Sequence, residues 1–276
     1  MKMPEGPEVK ITGNKLHEIL SNKILKSINV LGGRYSKKPI FGFNDFFTDT
    51  QNVVIKSVNV KGKLIYWVFS NNWIMLNTLG MSGCWTFTKV KHCDIECVFD
   101  DNKKIYFKDM RHFGTLKFIR FNELPKKLKS IGPDVLTDQF TKNIWMKLCK
   151  KYQNWTLPKL LMNQRKLAGI GNYLKSEILY LSRVSPLVEI KDLSVNKKIC
   201  IYKNIKKISM ESLRSKGVSI RDYSSPDGQE GVFQFFLRVY GQSIDENNYL
   251  VQRITTDDKR TTHWVPQVQY ELYCTN

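Results

Sequence analysis

Alanine is almost missing from this 276-residue chain, with Ala168 the single example. Lysine, asparagine and isoleucine are abundant instead, the bias expected of an A·T-rich coding sequence. Long apolar runs are missing as well. The run Leu64-Ile65-Tyr66-Trp67-Val68-Phe69 is typical of what there is, and a membrane-spanning helix needs roughly 18 such residues. The first residues lack the apolar stretch of a signal peptide, since Lys2 is followed by Pro4, Glu5 and Glu8, so an intracellular, unsecreted chain without a membrane partner is expected. The six cysteines, Cys84, Cys93, Cys97, Cys149, Cys200 and Cys274, include no CxxC pair. A disulfide framework is not expected in a chain of this length without a secretion signal. His92, Cys93 and Cys97 form the one cluster with metal-ligand residue types, but they lie in a strand-like run without a second ligand pair, which reads as buried thiols.

Acidic residues are scarce relative to basic ones: 25 Asp and Glu against 44 Lys and Arg, a net charge of +19. Part of the lysine excess follows from coding bias. The imbalance still points to a polyanionic partner, most simply nucleic acid, bound with release of counterions.

Apolar residues at Val9, Leu16, Ile19 and Leu20 predict a first helix over 7–21. Segments rich in Val, Ile, Phe, Tyr and Trp follow at Ser27–Leu31, Val53–Val60, Lys63–Phe69, Trp73–Leu79, Trp85–Val90, Ile95–Phe99, Ile105–Phe107 and Leu116–Ile119. Many short strands separated by Gly, Asn and Asp predict an antiparallel β-sandwich. Near Leu124 the character changes, and Pro125–Lys129 with Gly132-Pro133-Asp134 reads as a linker. Helical patterns follow at 138–151, 156–164, 173–182 and 192–216, and alternation returns from Phe233 to Tyr273. The expectation is an α+β chain of two domains: a β-sandwich over 1–125, a linker over 126–137, a helical domain over 138–232 and a terminal hairpin over 233–276.

The start, Met3-Pro4-Glu5-Gly6-Pro7-Glu8, carries chemistry. With the preceding residues removed, Pro4 has a free secondary amine, a nucleophile that attacks an electrophilic carbon and forms an iminium. Glu5 beside it is a proton carrier. Gly169-Ile170-Gly171-Asn172 precedes a helix from Tyr173, and N–H groups at a helix start attract phosphate. Asn172 can cap that helix or bond a phosphate oxygen.

Leu161-Met162-Asn163-Gln164, Gly169-Ile170-Gly171-Asn172-Tyr173 and Glu177-Ile178-Leu179 resemble the helix–two-turn–helix signature of the formamidopyrimidine-DNA glycosylase and endonuclease VIII family. Pro4-Glu5-Gly6-Pro7-Glu8-Val9, Leu79-Gly80-Met81-Ser82-Gly83, Asp109-Met110-Arg111-His112-Phe113-Gly114, Gly132-Pro133-Asp134 and Asp227-Gly228 resemble the same family, in family order and over nearly the whole chain.

The resemblance implies a bifunctional DNA glycosylase and abasic-site lyase of base excision repair. Pro4 would attack the deoxyribose C1′, Glu5 would serve proton transfer, and Lys63 would contact phosphate and donate a proton in β-elimination. Glu8 matches a carboxylate of the same pocket. Met81, Arg111 and Phe113 match residues that fill the gap left by a flipped base, a task suited to apolar wedges and a guanidinium. His92 matches a DNA-contacting histidine, and Arg221 and Tyr223 lie in the stretch that would border the flipped base.

Relatives commonly carry a C-terminal zinc finger with two CxxC pairs. This chain reads Lys259-Arg260-Thr261-Thr262-His263-Trp264-Val265-Pro266-Gln267-Val268-Gln269, with Val265 and Val268 where the second cysteine pair would stand. Tetrahedral zinc needs four N, O or S ligands, so a zincless finger without cofactor is expected, still presenting Arg260 to the phosphate beside the lesion. Gly6 and the finger favour the endonuclease VIII side and oxidised pyrimidines, with oxidised or ring-opened purines second. The partner is damaged double- or single-stranded DNA, bound by a monomer. A non-catalytic damaged-DNA-binding protein is the competing reading, and a non-specific RNA binder rests on charge and aromatic content alone. An acylated proline nitrogen is not nucleophilic, so translation is expected to begin at Met3, with that methionine then removed.

Overall fold

The computed structural model describes residues 3–48, 52–218 and 232–269. The chain divides into two compact units, one built on residues 8–130 with Met3, Pro4 and Val218, the other on 5–7, 131–217 and 232–269. The division at 130/131 falls inside the stretch read as a linker.

In the first unit, α1 (Gly6–Leu20) leads into β1 (Ile24–Val30), α2 (Phe43–Thr48), β2 (Val53–Lys61), β3 (Leu64–Phe69), β4 (Trp73–Thr78), β5 (Cys84–Thr86), β6 (Cys93–Phe99), β7 (Lys104–Lys108), β8 (Thr115–Arg120) and α3 (Leu124–Lys129). All strand pairings are antiparallel, in the order β5-β7-β6-β1-β2-β3-β4-β8. The two halves of that order join over a short stretch, where Ile24 and Leu25 meet Val54 and Val53 and Asn22 and Lys23 bond the Ile55 backbone. Alternation sends one face of β3 inward, with Ile65, Trp67 and Phe69 buried, whereas β6 is buried on both faces and adds Ile95, Cys97 and Phe99 to the core. Side chains of both halves share one core, with Trp67 of β3 5.2 Å from Trp85 of β5. This is the expected sandwich. Val9, Leu16 and Leu20 of α1 enter the same core.

Two local readings change, and one element was not read from the sequence. The strand expected over Trp85–Val90 ends at Thr86, because the Thr88 N–H donates to the Thr86 hydroxyl at 3.2 Å, a local turn in place of a ladder bond. Pro125–Lys129 is helical, with Pro125 in the first turn where its missing N–H costs nothing. The aromatic segment Phe43–Thr48 is a helix whose buried Phe46 stacks on Phe118 at 4.5 Å.

The second unit holds α4 (Lys142–Lys151), α5 (Leu157–Met162), α6 (Asn172–Leu181), α7 (Val195–Arg214) and a hairpin of β9 (Gln252–Thr255) and β10 (Thr261–Trp264). Thr141 caps α4 through the Ile144 N–H, and Ser194 caps α7 through the Lys197 N–H. The tail is less β-like than its alternation predicts. Residues 233–236 form a short 3-10 turn. The N–H groups of Arg238, Val239 and Tyr240 donate to the Glu177 carboxylate at 2.8–3.0 Å, so a side chain takes donors that a strand would have used.

Candidate active site and nucleic-acid interface

Glu5 belongs to the second unit and is buried at the start of α6. Its Oε2 accepts the Gly171 N–H at 2.7 Å and the Leu174 N–H at 3.3 Å, and its Oε1 accepts the Tyr173 N–H at 2.8 Å. Those are donors that a helix start leaves without intrahelical partners, at the positive end of the helix dipole. Such a setting stabilises the carboxylate anion. A Cβ at position 171 would run into that carboxyl group, which is why glycine stands there. Gly6 N–H donates to the Gly169 carbonyl at 2.7 Å, so the chain just after Pro4 is tied to the same turn twice.

Asn172 is the first residue of α6 and does not cap it; Gly171 occupies the cap position. The Asn172 amide instead donates to the Thr261 carbonyl at 2.8 Å. Lys175 reaches Asp258 at 2.8 Å, and the Ser176 hydroxyl accepts the His263 N–H at 3.3 Å. Residues i, i+3 and i+4 share one helix face, so one stripe of α6 carries the hairpin. Burial holds the Lys175 amine below the usual lysine range, while Asp258 pulls it the other way. Asp258 also accepts the Arg260 N–H at 3.3 Å. Arg260 is exposed at the end of the turn that this carboxylate organises.

Tyr240 was not singled out from the sequence. It is buried in the second unit, its ring 4.8 Å from that of His263, and burial first and the Glu5 charge second push its phenol up. Its only sequence signal was the run Val239-Tyr240-Gly241, uninformative until Glu177 is seen to fix its backbone.

In the hairpin, Val265 and Val268 pack with Tyr180, Val239 and Val251. The Gln269 side chain accepts the Val265 N–H at 2.8 Å and donates to the Val184 carbonyl at 2.9 Å. Asp245 accepts the Asn247 and Tyr249 N–H groups and the Tyr180 hydroxyl. No group of three potential metal ligands occurs among the described residues.

In the first unit, Pro4 is buried, and Lys63 is half-buried beside Gly62 in the two-residue β2–β3 turn. Glu8 is fully buried in the first turn of α1 and accepts the Val218 N–H at 2.8 Å. Met81 lies half-buried in the β4–β5 turn, and Arg111 and exposed Phe113 lie in the β7–β8 turn. The Arg111 guanidinium carbon is 5.6 Å from the centre of the Phe113 ring. His92 is exposed in the β5–β6 turn, and its carbonyl accepts the Asp109 N–H at 2.9 Å. Cys93 and Cys97 are buried free thiols, and burial pushes both up. Arg221 and Tyr223 lie outside the described residues.

Residues 3–116 match the model of the formamidopyrimidine-DNA glycosylase N-terminal domain, and residues 131–224 match the H2TH domain of the same glycosylase. The chain is 31% identical over 252 residues to the formamidopyrimidine-DNA glycosylase of the Wolbachia endosymbiont of Brugia malayi, covering 87% of this chain and 89% of that one. It is 32% identical over 249 residues to the Mycoplasma mobile protein of the same name, covering 86% and 88%. Among solved structures, the MutM (Fpg) protein of Thermus thermophilus superposes with a TM-score of 0.85 at 25% identity, over 97% of this chain and 99% of that one. A Lactococcus lactis Fpg mutant in complex with DNA containing Fapy-dG gives 0.86 at 25% identity, over 97% and 100%.

Proposed function

Because this chain belongs to the formamidopyrimidine-DNA glycosylase and endonuclease VIII family, and is thus a DNA repair glycosylase with abasic-site lyase activity, we propose that it excises oxidised bases through its proline amine, with oxidised pyrimidines the leading substrates. The observation that carries this reading is the anchorage of Glu5 on three N–H groups at the start of α6. Pro4 is bonded directly to this anchored residue, which restricts the range of an amine at its nitrogen, as nucleophilic catalysis favours.

In the proposed reaction the Pro4 nitrogen bonds to C1′ of the damaged nucleotide and the base leaves with the glycosidic electron pair. Loss of the proline proton and opening of the sugar ring give an iminium. Glu5 takes up and returns protons during ring opening. Removal of a C2′ proton from the iminium expels the 3′ phosphate in β-elimination. Lys63 and Arg260 neutralise phosphate charge around the lesion, and water releases the proline. Glu8 shapes the pocket through its bond to Val218, the residue that leads into Ser219–Gly231. Met81, Arg111 and Phe113 fill the space left by the flipped nucleotide, while Asn172 and His92 contact the backbone. The hairpin does this without zinc, held by Val packing and side-chain hydrogen bonds.

A second reading, ring-opened purines first, is favoured by the shared name of the relatives, formamidopyrimidine-DNA glycosylase. Reduction with borohydride during turnover tests the chemistry. An enzyme whose intact mass shows Pro4 at the terminus should form a covalent adduct with abasic DNA; no adduct from that material would rule out the proline nucleophile. Single-turnover excision from a panel of defined lesions, each in single and double strands, ranks the two substrate classes.

A further inference from the structure

The two turns that carry Met81, Arg111 and Phe113 are tied together by a buried relay. The Arg111 N–H donates to the Ser82 hydroxyl at 3.0 Å, and that hydroxyl donates to Asp109 Oδ1 at 2.6 Å. The other oxygen of the same carboxylate accepts the Gly114 N–H at 2.6 Å. Ser82 and Asp109 are both buried. One side chain from the β4–β5 turn thus holds the backbone at Arg111, and one carboxylate holds both that hydroxyl and the backbone at Gly114.

The backbones also touch. Gly80 has φ +62°, and a Cβ there would lie 2.6 Å from the carbonyl carbon of Phe113 and from the nitrogen of Gly114. On its far side the second turn is pinned by His112, whose Nδ1 lies 2.8 Å from Oδ2 of buried Asp94. Short turns with glycines at their ends are otherwise more mobile than the strands they join.

We infer that Ser82 and Asp109 are positioning residues that lock Met81, Arg111 and Phe113 into one rigid wedge, so that insertion into a duplex is a single concerted event. This rests on the proposed void-filling role of those three residues. A wedge assembled before contact pays less ordering entropy on insertion than two turns fixed one after the other. The relay matters where a base must be extruded from a stack, and little where the strand is already single.

The test compares Ser82→Ala and Asp109→Asn with Met81→Ala and Phe113→Ala in single-turnover excision of one lesion, in duplex and in single-stranded DNA. A 2-aminopurine opposite the lesion reports insertion. Ser82→Ala is expected to lower the duplex-to-single-strand rate ratio roughly tenfold and to reduce the 2-aminopurine amplitude, and to add nothing further in a Phe113→Ala background. Thermal unfolding and borohydride trapping on single-stranded abasic DNA establish that each variant is folded; if Asp109→Asn is not, Ser82→Ala decides. If Met81→Ala and Phe113→Ala lower the ratio but Ser82→Ala does not, the relay is overturned and the wedge stands. Equal slowing of duplex and single-strand excision by Ser82→Ala, or effects that add independently to Phe113→Ala, also overturns it. If neither Met81→Ala nor Phe113→Ala changes duplex excision, the wedge reading falls, and the relay with it.

Discussion

Lys175 and Asp258 form an ion pair at 2.8 Å with side chains 0% and 4% exposed. The pair joins α6 to the hairpin turn, and Asp258 spends its second oxygen on the Arg260 N–H and the Thr256 hydroxyl. Removing one partner leaves a buried charge without its counter-ion, at a cost of about 3–5 kcal/mol. Lys175→Met should therefore lower stability by that order in denaturant unfolding and loosen amide exchange over 252–264. Lys175→Met with Asp258→Leu should recover much of the loss. A single variant as stable as the parent would show the pair to be dispensable.

Glu5→Gln replaces an acceptor of three N–H groups with an amide that has one acceptor oxygen and two donors. Base removal should fall by roughly 10²–10⁴-fold, the usual scale of general acid–base catalysis. Strand cleavage at a preformed abasic site should fall far less. Equal loss in the two assays would remove Glu5 from base excision.

Arg260 is exposed on a turn whose backbone is fixed from below. Arg260→Ala should weaken binding to abasic DNA and reduce the salt slope of log K by about one. Unchanged affinity across a salt series would take Arg260 out of the interface.

Burial, and after it the Arg253 charge, pushes the His263 imidazole down to about 4. A histidine whose folded pKa lies below its unfolded value binds fewer protons when folded, so stability rises with pH between the two values. Unfolding temperature should thus climb from about pH 4 to about pH 6.5 and then level off on this account. In His263→Phe that segment of the profile should flatten; an unaltered profile would assign the acid sensitivity elsewhere.

Val265 and Val268 pack with Tyr180, Val239 and Val251, at the positions where the resemblance would put the cysteines of a metal-bound finger. Prolonged treatment with a strong chelator should leave the unfolding temperature and the trapping yield unchanged, and elemental analysis should find less than stoichiometric zinc. Loss of either property on chelation, restored by zinc, would contradict a zincless finger.

Much of the site was legible in the chain. Pro4-Glu5 at the start, Gly169-Ile170-Gly171-Asn172 before a helix and the Gly-flanked turns at Met81 and Phe113 are local patterns, because turn geometry and helix starts impose their residue types over a few positions. The β-sandwich was legible for the same reason, since short runs of Val, Ile, Phe, Tyr and Trp between turn residues mark its strands, with period-2 burial along β3 and β8. The sequence by itself also determined the basic charge and the lack of paired cysteines in the hairpin. What only the tertiary structure decided involves partners far apart in the chain. Glu5 meets Gly171, Glu177 takes the N–H groups of 238–240, Lys175 meets Asp258, and Ser82 meets Asp109. Each is a buried polar group whose partner is chosen by proximity in the fold and not by spacing in sequence, since leaving any of them unsatisfied would cost more than the ordering needed to pair it.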